Sequence, residues 1–114
     1  KKKSEKLHFS KKDLEFLSYN HHEIGLHSHS HPIPITDLSL KDLKNEYKKN
    51  YVILKKIIKK DILSMSHPNG YFDINCKKVL KNLGVKIGFA NSEIVSKKKL
   101  NPLNIPRIDH THLI

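Results

Sequence analysis

Three histidines stand at alternate positions in EIGLHSHSHP, residues 23–32: His27, His29 and His31, separated by serines and closed by Pro32. Neutral imidazole is a first-choice ligand for Zn, Ni, Co or Fe. On an extended strand all three would point to one face. If the strand ends at His27 and the chain turns, residues 27 and 31 still converge, as i and i+4 do on a helical turn. The pair His27 and His31 therefore suits both backbones, and His29 suits only one. Two plainer readings compete with a metal site: a polar surface loop, and a histidine tract that takes up metal adventitiously. A cloning remnant is a poor fit, because the histidines are interleaved and internal. A catalytic metal site usually has three protein ligands and a water. A carboxylate is the expected third, and Asp37, Asp73 and Asp109 are candidates by position. Asp37 follows the PIPIT loop, Asp73 has the placing of a helix cap, and Asp109 ends a strand-like run.

The elements that must carry these residues can be read from periodicity. Residues 10–20, SKKDLEFLSYN, predict a short helix with Ser10 as N-cap, Asp13 three residues on, and Leu14 and Leu17 on one face. EIGLHS then starts as a strand and is stopped by the prolines of PIP at 32–34. Residues 39–60 predict the longest helix, opened by Ser39 and Asp42. Its apolar stripe is Leu40, Leu43, Tyr47, Tyr51, Leu54 and Ile58. DILSMS is a strand candidate and HPNG a turn. Asp73 caps a third helix, with Cys76, Val79, Leu80 and Leu83 inward and Gly84 at its C′ position. VKIGFA alternates as a strand. Residues 91–104 read as a polar, lysine-rich loop, and IPRID as one more short strand.

Helix and strand alternate throughout, which predicts an α/β fold with a parallel sheet covered by helices. A βαβ unit takes about 30 residues, so 114 residues hold about three. A closed barrel of eight strands takes about 250. The chain is therefore expected to be a single partial domain over residues 1–114.

The net charge is +11, which raises nucleic acid or another anionic polymer as a partner class. Arg107 is the only arginine, whereas bidentate phosphate or guanine recognition favours arginine. Lys41, Lys44, Lys48, Lys49, Lys55 and Lys59 mostly fall off the apolar stripe of the long helix, where a solvated face accounts for them. Nucleic acid is thus not the favoured partner. The single cysteine, Cys76, excludes an intrachain disulfide and a multi-cysteine zinc site. No apolar run approaches the ~20 residues of a membrane span, and KKKSEKLHFS has no secretory apolar segment.

The run from SKKDLEFLSYN through HSHSHP to LKNEYKKN resembles the polysaccharide deacetylase family, the NodB-homology domain, around its H-[ST]-x-x-H motif. SMSHPNGYFDINCKKVLKNLGVKIGFANS resembles the family's later strand, P-[YFN]-G turn, helix and strand. The resemblance spans most of residues 10–110. It implies a (β/α) barrel-like fold and hydrolysis of N-acetyl or O-acetyl groups on a carbohydrate, an acetylated amino sugar or polysaccharide. It implies a divalent metal, zinc first and cobalt or nickel next, held by His27 and His31. Ser28 takes the small hydroxyl position of the motif and His29 a variable one.

The resemblance further implies an oxyanion donor at the Asn69 backbone N–H, with Pro68 and Gly70 beside the substrate. A general acid would come from DHTHL, at His112 or else His110. Two departures matter. The family's paired aspartates, which supply the general base and third ligand, are absent from these 114 residues, and Ser66 stands where an arginine is common. This chain alone is therefore expected to hold metal weakly or not at all. Two other functions remain: a relative that keeps the fold without the base, and a basic module binding nucleic acid or an anionic polymer.

Overall fold

The computed structural model describes residues 8–91 and 100–113, with side chains as far as Thr111. Helix α1 runs Lys11–Tyr19, α2 Leu40–Ile58 and α3 Ile74–Asn82. Strands β1, Ser64–Ser66, and β2, Ile87–Phe89, pair in parallel, with Ser64 opposite Ile87 and Ser66 opposite Phe89. Two single parallel bridges widen this sheet. Leu26 pairs with Met65 on one side, and Ile105 with Phe89 on the other. Four parallel segments thus lie side by side in chain order, with α2 between the first two and α3 between the second and third.

The helix starts follow from capping. Ser10 and Asp13 form a complete capping box on α1. Ser39 accepts from Asp42 N–H on α2, and Asp73 accepts from Cys76 N–H on α3. Each spares a helix amide that would otherwise lack an acceptor. Lys59, in the left-handed region at φ 56°, closes α2, and Gly84 follows α3 at φ 84°.

The core lies between the helices and one face of the sheet. Leu26 and Met65 from the sheet meet Leu43 and Tyr47 of α2 and Cys76, Val79 and Leu80 of α3. Tyr51, Leu54 and Ile58 pack against them in part. The stripe of α2 differs from expectation at its start, where Leu40, the first helical residue, is exposed. The two outer strands also differ. EIGLHS and IPRID each reduce to one bridge: the chain turns at Ser28 after the first, and Pro106 has no N–H to extend the second.

The loop expected over 91–104 is not wholly polar. Residues 92–99 fall outside the described residues, but Leu103 is buried in the core. The Pro102 carbonyl accepts from Gly88 N–H at 2.8 Å. Among the described residues no helix is long and apolar enough to cross a membrane.

Leu80 has no solvent exposure and sits at the centre of the α3 contact. Leu80→Ala should cost about 2–5 kcal/mol, read from urea denaturation midpoints. A loss below about 0.5 kcal/mol would place Leu80 at the surface.

Candidate active site

The parallel strands all end on the same side, and the candidate residues follow those ends. His27 comes one residue after the Leu26 bridge, and Pro68 two residues after β1. Asn91 follows β2, and Arg107 follows the Ile105 bridge. In open and closed parallel α/β sheets this edge is where ligands bind.

After His27 the chain turns sharply. Ser28 and His31 both take left-handed backbone, at φ 66° and 55°. Ser28 is buried, and its hydroxyl accepts from His31 N–H at 3.1 Å, closing the turn from inside. The turn brings the His27 and His31 rings to 5.0 Å between centroids. His29 is exposed and makes no ring contact with either among the described residues. An extended three-histidine face is thus not what forms.

The orientation of His27 is set by β1. Its Nδ1 lies 2.9 Å from the Ser66 carbonyl and 2.9 Å from Ser66 Oγ. A carbonyl only accepts, so Nδ1 carries the proton and Nε2 keeps its lone pair. Such a bond is the usual way a ligating imidazole is held in one tautomer. The pair therefore fits as two donors of a divalent-metal site. Among the described residues no third His, Cys, Asp or Glu joins it. Asp73 is engaged as the α3 cap, and Asp109 accepts from Thr111 N–H and Oγ1. Asp37 is exposed on a short 3-10 turn, Ile35–Asp37.

The PNG turn forms a 3-10 turn, Pro68–Gly70, with Asn69 and Gly70 both at positive φ, 51° and 75°. The His67 carbonyl accepts from Gly70 N–H, and that of Pro68 from Tyr71 N–H. Asn69 N–H is left without an acceptor among the described residues. A Cβ on Gly70 would fall 2.6 Å from Asn91 Cβ, so this position needs glycine for both space and backbone. The side chain of His112 lies outside the described residues. His110 is exposed, 3.6 Å from Asp109.

Sequence reasoning missed His67, the residue just before the PNG turn. It is 1% exposed and ties the end of β1 to β2 and to the segment that leads into the Ile105 bridge. Its N–H donates to the Phe89 carbonyl at 3.0 Å, and its Nε2–H to the Leu103 carbonyl at 2.6 Å. Its ring leans on Phe72 at 4.8 Å. Burial holds its pKa below the ordinary value, with the Leu103 carbonyl opposing and Arg107 adding to the effect. The one arginine, Arg107, is exposed but donates from Nε to the Ala90 carbonyl at 2.6 Å.

The sequence model of the polysaccharide deacetylase family matches residues 3–88. This chain belongs to the polysaccharide deacetylase family. Among curated protein sequences none matches it. Solved structures with the same fold include the Streptococcus pyogenes deacetylase PplD in complex with acetate. It is 18% identical, at TM-score 0.79 over 88% of this chain and 44% of that one. The BpsB deacetylase domain from Bordetella bronchiseptica is 14% identical, at TM-score 0.73 over 87% of this chain and 48% of that one. BA3943 from Bacillus anthracis, a CE4 family pseudoenzyme, is 17% identical, at TM-score 0.62 over 66% of this chain and 26% of that one. The chain spans less than half the length of each. The partial barrel expected from the sequence is therefore borne out for this member of the family.

His67 gives a pH dependence of stability. Its folded pKa is lowered, so below about 6.5 the unfolded chain binds the proton more readily. Stability is complete above that pH and falls as pH drops below it. Urea midpoints between pH 8 and 5 should decline, and less so in His67→Gln. Asp13, Asp61 and Asp109, whose values are also lowered, act only near pH 4 and below.

Proposed function

We propose that this chain is the histidine-bearing part of a metal-dependent carbohydrate deacetylase, a hydrolase acting on an acetylated amino sugar or polysaccharide. One observation carries the reading: His27 and His31 face each other at 5.0 Å at the strand ends, with His27 already oriented by Ser66. The divalent ion, zinc first and cobalt or nickel next, would polarise the acyl oxygen and bring its water to a pKa of roughly 7. His27 would offer Nε2, and His31 its facing ring. Asn69 N–H would receive the oxyanion of the tetrahedral intermediate, a contribution of several kcal/mol when the donor is fixed in advance. Pro68 and Gly70 fix it by holding the turn. A carboxylate must take the proton of the attacking water, and a histidine, His112 or His110, must return one to the leaving amine. Under this reading the carboxylates come from outside these 114 residues.

A catalytically incomplete relative is the second reading. It is favoured by the lack of a third ligand among the described residues. The lysines of α2 are exposed along its length, which supports a solvated face over a nucleic-acid site.

His27→Ala and His31→Ala should each abolish stoichiometric metal and deacetylation in the complete protein, and His29→Ala should leave both near normal. Metal content by mass spectrometry decides this, and equal loss from all three would sink the assignment. Metal retained without deacetylation would favour the second reading.

Asn69→Ala should keep most activity, because only its backbone donates. Gly70→Val should lose far more, since its side chain meets Asn91. Initial rates on an acetylated oligosaccharide give the order of damage. The reverse order would assign the role to the Asn69 side chain.

A further inference from the structure

Helix α2 holds the histidine turn from outside at both ends. Asn50 Oδ1 accepts from His27 N–H at 3.0 Å. One helical turn earlier, the Glu46 carboxylate accepts from Ser30 N–H and from Ser30 Oγ, at 3.0 and 3.1 Å to its two oxygens. Residues 46 and 50 share one face of α2. They are about 6 Å apart along its axis, four residues at 1.5 Å each. That spacing is close to the 5.0 Å between the two rings.

The turn needs such a hold. Ser28 and His31 occupy left-handed backbone, which L-residues adopt at a cost. The Ser28–His31 bond closes the turn but does not anchor it to the fold. His27 is anchored to β1 through Ser66, whereas Ser30, the neighbour of His31, is anchored to the body of the protein by Glu46. Both contacts depend on a rigid helix, because their acceptors sit one turn apart on it.

We propose that Glu46 and Asn50 are positioning residues that set the separation of His27 and His31, with α2 as the spacer. The part that concerns metal rests on the deacetylase reading above; the part that concerns the turn does not. Glu46→Gln keeps an oxygen that accepts from both Ser30 donors, and Asn50→Asp keeps the acceptor for His27. Glu46→Ala and Asn50→Leu remove them.

Two readouts on the complete protein, with the carboxylates that lie outside these 114 residues, separate the proposal from the reading it builds on. In metal-free NMR spectra, nuclear Overhauser effects should link the His27 and His31 ring protons in the unmodified protein, in Glu46→Gln and in Asn50→Asp. They should be lost in Glu46→Ala and Asn50→Leu while the helix signal in circular dichroism stays intact. In calorimetric Zn(II) titrations, Glu46→Ala and Asn50→Leu should weaken binding by roughly 10- to 100-fold, the usual effect of losing an outer-shell partner, with the Gln and Asp variants near the unmodified value. Ring contacts that persist in Glu46→Ala overturn the proposal. So does unchanged Zn(II) affinity in that variant when the unmodified protein binds zinc. If the unmodified protein binds no zinc, the metal reading fails, and the ring contacts still decide the role of Glu46. Should Glu46→Ala not fold, Ser30→Ala removes one of the two donors without touching the helix and must weaken the same contacts.

Discussion

The parallel alignment of Leu26, β1, β2 and Ile105 governs everything else in this chain. Parallel strands need a crossover between them, and α2 and α3 supply the first two. The crossovers return the chain to the same starting side, so every strand finishes on the opposite one. Residues distant in sequence, such as His27, Pro68 and Asn91, therefore gather along a single rim without any contact designed to recruit them.

The rim is then made stiff by buried polar bonds between loops and strands. His67 takes a position that a purely apolar side chain would fill more cheaply. Its ring donates to the Leu103 carbonyl, and its backbone to Phe89. A buried donor of this kind is costly to leave unmatched. The partners are accordingly held in place, and the PNG turn that follows inherits their fixed position.

Much of the fold was legible from residue types, for local reasons. Capping at Ser10, Ser39 and Asp73 is chemistry within three residues, and helix stripes are periodic over a few turns. Leu80 and Val79 were readable as core because α3 buries one face only. The outer strands were less legible, since EIGLHS and IPRID look extended although each makes one bridge. Whether a strand continues depends on neighbours far along the chain. The convergence of His27 with His31 was readable as one of two backbones, and the turn at Ser28 chose between them. His67 and Leu103 were not readable at all, because their contact joins residues 36 apart in a stretch with no periodicity. Glu46 and Asn50 did leave a signal. Two polar residues at i and i+4, along one edge of the apolar stripe, mark a polar border of the core face of α2.

That polar border gives α2 an unusual tolerance problem. Leu43 and Tyr47 are locked in the core and determine how the helix is rolled about its own axis. A side-chain atom about 5 Å from that axis sweeps roughly 1.7 Å when the helix rolls by about 20°. Hydrogen bonds do not survive such a sweep, while packing of a Leu or Tyr can adjust to it by changing rotamer. A core substitution that leaves the protein fully folded can thus detune the histidine turn through the neighbouring edge of the same helix. Volume at position 47 behaves here as an angular setting, and the histidine turn reads that angle more finely than the core does.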